Sequence, residues 1–140
     1  MAVNEINWRM HVEGWPINDQ LVFGVSSGLI TADDLMQLVE QGADPNLRDG
    51  FPLSQIARDG KMDLVEQIVK FGADPQNSWA LAEASRSGHF EVAEYLLDAG
   101  TNAEDDNSAA LLAATRAGRT KVVDLLYPLS DVDEVIASMS

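Results

Sequence analysis

Met62–Pro75 reads MDLVEQIVKFGADP, and Phe90–Ala103 restates it as FEVAEYLLDAGTNA. Asp34–Pro45, DLMQLVEQGADP, is an earlier version, and Arg119–Pro128, RTKVVDLLYP, is a later one without the closing Gly-Ala-Asp. Each copy has the spacing of a short amphipathic helix. Leu64, Val65, Ile68 and Val69 match Val92, Ala93, Leu96 and Leu97, and then Val122, Val123, Leu126 and Tyr127. This i, i+1, i+4, i+5 set predicts one buried stripe per copy. A self-similar period of this size means stacked helical units, each burying its face on its neighbours.

Glycines mark the period. Gly42, Gly72 and Gly100 close the repeated helices, 30 and 28 residues apart. A second series, Gly28, Gly60, Gly88 and Gly118, has intervals of 32, 28 and 30. One glycine therefore separates two helices and the other ends the second. A residue that ends a helix commonly takes positive φ, which costs Gly little. The spacing predicts helix pairs at 19–27 and 32–41, 52–59 and 61–71, 79–87 and 89–99, and 108–117 and 119–127. Thr31 with Asp34 has the pattern of a capping box. A last helix is expected at 131–139, with Val132, Val135, Ile136 and Met139 on one face and Ser130 with Asp133 at its start. The first helices are rich in small residues (Ala80, Ala82, Ala84; Ala109, Ala110, Ala113, Ala114), as expected of inner helices that approach closely in a curved stack.

Residues 1–18 precede the repeats. Ile6, Trp8, Met10 and Val12 alternate with polar residues, which suggests an extended segment, with a helix over 3–13 as the alternative. That segment is expected to cap the apolar end of the stack, the alternative being that its tryptophans, Trp8 and Trp15, engage a partner. The organisation expected is a single domain over 1–140: an N-terminal cap at 1–18, repeats at 19–128 and a capping helix at 129–140.

The second unit, Pro52–Asp74 (PLSQIARDGKMDLVEQIVKFGAD), and Leu81–Gly100 (LAEASRSGHFEVAEYLLDAG) resemble the ankyrin repeat. Pro52-Leu53 matches the family's Pro-Leu, Gly88-His89 its inter-helix Gly-His, and Gly42-Ala43-Asp44 and Gly72-Ala73-Asp74 its ending. The resemblance covers about residues 19–128. It implies an all-α solenoid of about four repeats, with a cap before it and a half-repeat after it. The usual repeat is 33 residues, so these are short. The shortfall lies in linkers 45–51, 75–79 and 101–108, where the family carries a β-hairpin finger. Phe51, Trp79 and Ala109 stand where the family has Thr, and Ser54, Ala82 and Leu112 where it has His.

The chain has 140 residues, 23 acids, 9 Lys and Arg, and a formal charge of −14. Such a balance disfavours direct nucleic-acid binding, which needs a basic face. It fits either solubility or a basic partner drawn in electrostatically. Without cysteine there is no disulfide or thiolate zinc site. The start of the chain lacks the pattern of a secretory signal, and no stretch reaches the ~20 apolar residues of a membrane span. A cytoplasmic protein, monomeric when free, is expected.

Three groups stand out as partner-binding candidates. Arg58, Arg86 and Arg116 each lie two residues before an inter-helix glycine and should align in a column. They either stabilise helix ends and pair with acids such as Asp59 and Glu83, or recognise a carboxylate-bearing partner. Phe51 and Trp79 form a second column, either packing across the shortened linkers or presenting an aromatic anchor. Asp105 and Asp106 belong to an acidic run, either a solvated turn or a contact for a basic partner, and Glu83, beside the arginine column, is a further partner-binding candidate. The histidines are His11 and His89, and there is no phosphate loop, zinc spacing or nucleophile elbow. No enzyme activity, cofactor or metal is expected. The resemblance implies protein binding. The acidity sharpens this to an inhibitor or immunity protein that neutralises a basic partner such as a toxin. A general adaptor and a nucleic-acid mimic that inhibits a DNA-binding protein are the alternatives.

Overall fold

The computed structural model describes residues 7–130 and 132–139, with the side chains of 105–107, 134 and 138 outside that description. Helices α1 (Ile17–Ser27), α3 (Leu47–Asp59), α5 (Ser78–Ser87) and α7 (Asp105–Ala117) stack as one layer. Helices α2 (Ala32–Glu40), α4 (Met62–Lys70), α6 (Phe90–Asp98) and α8 (Thr120–Leu126) stack as a second. A last helix, α9 (Val132–Met139), packs on α7. No strand occurs among the described residues, so the short linkers carry no hairpin finger.

The expected stripe is the core. Leu64, Val65 and Ile68, Val92, Ala93 and Leu96, and Val122 and Leu126 are buried. Tyr127 departs from it: α8 ends at Leu126, and a 3-10 turn, Tyr127–Leu129, leaves the ring 55% exposed. The α9 stripe is also only half covered. Val135 is buried, while Ile136 and Met139 are exposed; α9 packs mainly on α7.

The Gly-Ala-Asp phrase has a physical reading. Gly42 and Gly72 turn the chain at φ 104° and 115°. The buried Ala43 and Ala73 then donate back to Leu38 O and Ile68 O, each at 2.9 Å, satisfying carbonyls that the helix end leaves open. Asp44 and Asp74 accept from the N–H two residues on, each at 2.9 Å, forming an Asx turn. In the third unit Thr101 and Asn102 stand in for Ala and Asp and make the same bonds.

Two sets of side-chain bonds join successive units. At the linkers, Asn18 Oδ1 accepts from Asp44 N (2.8 Å), Asn46 bonds Gly72 O and Asp74 N (2.8 and 2.7 Å), and Thr101 Oγ1 donates to Pro75 O (2.6 Å). At the opposite edge the residue after each inter-helix glycine reaches back one unit. Lys61 Nζ donates to Gly28 O (2.6 Å), His89 Nε2 to Arg58 O (2.9 Å) and Arg119 Nε to Arg86 O (3.0 Å). Each carbonyl lies at the end of a first helix, where the charged donors Lys61 and Arg119 also meet the negative end of the helix dipole.

These contacts need bare backbone. A Cβ on Gly60 would overlap the His89 ring, and one on Gly88 would sit 2.8 Å from Arg119 Cδ. The equivalent Gly118 has the same left-handed backbone, φ 72°, with nothing within 4 Å.

Residues Trp8–His11 form a 3-10 helix, which overturns the extended reading. Trp8, at its start, and Val12, its C-cap, are buried while Met10 points outward, whereas a strand would put all three on one face; Ile6 lies outside the described residues. Four alternating residues were too few to separate the two periods. Asp34 ties this segment down: it closes the expected capping box with Thr31 and accepts from Trp8 Nε1 at 3.1 Å. The Trp8 ring lies over Gly24, which explains a glycine in the middle of α1.

Two substitutions test these approaches. Gly60→Ala should lower stability by at least about 1 kcal/mol more than Gly118→Ala, because only the first adds a clash to the shared backbone strain. Gly24→Ala should destabilise by about 1–3 kcal/mol, although helix propensity alone favours Ala by about 1 kcal/mol. Its Cβ would sit 2.7 Å from Trp8 Cη2. Urea denaturation of the variants measures both effects.

Candidate protein-interaction surface

The first-helix layer carries two of the expected groups. Phe51 and Trp79 meet, with ring centroids 5.9 Å apart and planes at 58°. Asn77 sets this register. Its Oδ1 caps α5 by accepting from Trp79 N (2.9 Å), while its Nδ2 reaches back to Gly50 O (3.3 Å). Gly50 closes a left-handed turn with Arg48 and Asp49 (φ 52°, 57° and 89° for residues 48 to 50), from which α3 restarts at Phe51. Phe51 is half-buried, and Trp79 remains 39% exposed.

The three arginines occupy equivalent exposed positions near the ends of α3, α5 and α7. Their partners differ. Arg58 lies 3.6 Å from Asp59, Arg86 pairs with Glu83, and no acid among the described residues pairs with Arg116. Glu83 is buried, its carboxylate facing Arg86 rather than open solvent. The side chains of Asp105 and Asp106 lie outside the described residues; their backbone forms the first turn of α7.

Folding also sorts the charge, which is scattered in the sequence. Asp33, Glu40, Asp63, Glu66, Glu91, Glu94, Asp98 and Asp124 are all exposed on the second helices, with Lys70 and Lys121 the cations among them. The signal in the sequence was the i, i+3 pair at one repeat position: Asp63 with Glu66, then Glu91 with Glu94. Six of the nine Lys and Arg (Arg58, Lys61, Arg86, Arg116, Arg119 and Lys121) instead follow the turns between first and second helices. The protein thus has an acidic second-helix face and a basic turn edge.

Among the described residues no group of three His, Asp or Glu could hold a metal ion. No helix among them is long and apolar enough to cross a membrane. A family model described as ankyrin repeats (3 copies) matches residues 25–107 and 53–135. No curated protein matches the chain.

The pairing at Glu83 distinguishes the arginines. Arg86→Ala would leave a buried carboxylate without its partner and should destabilise by about 1 kcal/mol or more. Arg116→Ala should stay within about 0.5 kcal/mol of the parent. Thermal and urea unfolding of the two variants give the comparison.

Proposed function

The chain belongs to the ankyrin-repeat family, and on that premise we propose that it is an acidic inhibitor or immunity protein that neutralises a basic partner such as a toxin. Ankyrin repeats form a protein–protein interaction module. The observation that carries the finer reading is the gathering of eight exposed acids on one helix layer. An acidic face of this kind speeds encounter with a basic surface and sets its orientation. The Phe51–Trp79 pair supports a further contact on the first-helix layer, where a half-exposed aromatic can anchor a partner. Arg58, Arg86 and Arg116 border that contact, beside Glu83, and are proposed to meet carboxylates of the same partner.

One feature favours a second reading, imitation of nucleic-acid charge. Asp63 and Glu91 form one file of acids, and Glu66, Glu94 and Asp124 another. Neighbouring helices stack about 8–10 Å apart, wider than the phosphate step along a strand, so the basic-partner reading is preferred. Competition by duplex DNA for the same partner separates the two.

The double variant Glu66→Lys/Glu94→Lys tests the proposal on partners captured from the native host. Captured proteins should be basic, and affinity should fall about tenfold or more from low to physiological salt. The double variant should lose capture while its helical circular dichroism is unchanged. Partners that are all neutral or acidic, bound independently of salt, would contradict it.

A further inference from the structure

The first-helix face changes character at α1. Counted back from the inter-helix glycines, Val22-Phe23 in α1 corresponds to Ser54-Gln55, Ala82-Glu83 and Leu112-Ala113 in the later units. At the arginine position α1 has Ser26, and at the aromatic position it has Asp19. Here alone, therefore, the column of arginines gives way to an apolar floor with a carboxylate at its rim.

That floor is a formed groove. Trp15, Pro16, Asp19, Val22, Phe23 and Ser26 line an open, mostly apolar space of about 600 Å³. Two rings, Trp15 and Phe23, form one wall, and a third backs it. Trp8, buried, stacks on Phe23 with centroids 6.0 Å apart, and Trp15 meets the other side of Phe23 edge-on at 5.8 Å. Trp15 is 45% exposed yet held in place. Its backbone N–H donates to Val12 O and its backbone carbonyl accepts from Gln20 Nε2, both at 2.9 Å, which fixes the main chain, while the edge contact with Phe23 seats the ring. An exposed aromatic fixed in this way loses little freedom on binding, which suits it to anchor a partner side chain.

Charge selects the occupant. From Met10 to Leu47 the chain has six acids (Glu13, Asp19, Asp33, Asp34, Glu40 and Asp44) and no Lys or Arg. Arg9, the nearest cation before this stretch, is held by Gln37 at 2.7 Å and faces Asp34 at 4.0 Å. α1 carries no Lys or Arg of its own, in contrast to Arg58, Arg86 and Arg116 on the later first helices, and Lys61 of the next unit is engaged by Gly28 O just past its end. A second copy of this chain would bring another net charge of −14.

We propose that this groove is the anchoring subsite for a basic partner: it takes one apolar side chain of a segment whose flanking Lys or Arg meets Asp19. The proposal rests on the basic-partner reading and names where that partner is gripped. The probes are short peptides carrying one Leu, Phe or Trp flanked by lysines, with matched peptides in which Glu replaces Lys. Binding is followed on the indole N–H signals of 15N-labelled protein.

The lysine peptides should shift the Trp15 indole signal and leave that of buried Trp8 in place. Asp19→Lys and Trp15→Ala should each weaken binding about tenfold or more, with the Trp8 signal reporting an intact fold. Lysine peptides that shift only Trp79 or second-helix signals would overturn the groove assignment while leaving the basic-partner reading standing. So would an equal response to the glutamate peptides, or a Trp15 shift that depends on protein concentration without peptide and so marks a second copy as occupant. No response to any lysine peptide would overturn both.

Discussion

Lys61, His89 and Arg119 each cross from one unit to the last turn of the preceding first helix, and much else in the stack follows from that reach. The carbonyls they meet have no partner within their own helix. A donor from the next unit satisfies them without a hairpin. The same contacts explain why glycine stands at 60 and 88, since the arriving side chains occupy the space a Cβ would take. One interaction thus ties each unit to the one before it along one edge, while the left-handed φ that these glycines share with Gly118 makes the turn itself. The linker bonds from Asn18, Asn46, Asn77 and Thr101 do the same work at the opposite edge, where short linkers replace fingers.

With both edges tied, the two helix layers are left to differ chemically. Small residues allow α3, α5 and α7 to pack closely, so large exposed side chains on that layer collect at its ends, at Phe51 and Trp79 and at the arginines. The second helices bury one stripe and turn their acids outward. Segregation of this kind gives a strongly acidic protein a definite orientation toward a charged partner, even though its acids are spread through the sequence.

The helix pairs, their order and their core stripe were legible because a 28-to-32-residue period repeats each signal several times. Thr31 and Asp34 could be read as a capping box from two residues alone. What escaped were features that use different residues for one task. Lys, His and Arg share little as letters, yet Lys61, His89 and Arg119 all serve as a donor after glycine. Asn77 is an ordinary loop residue until its amide is seen to bridge Gly50 and the start of α5. The N-terminal segment misled because Trp8 and Val12 are both buried, as alternation requires, although Met10 between them points outward. Tyr127 and Ile136 match the core stripe by position, but the packing that buries that stripe does not extend to them. Exposure of Trp79 was likewise invisible, since its ring packs on Phe51, one repeat away.

The most direct check of this account is a nuclear Overhauser measurement on the intact protein. The reach-back contacts require strong cross-peaks between the His89 ring protons and the α-protons of Gly60, and between the δ-protons of Arg119 and the α-protons of Gly88. Their absence from a protein whose helices are otherwise intact would contradict the claim that these side chains lock each unit to the one before it.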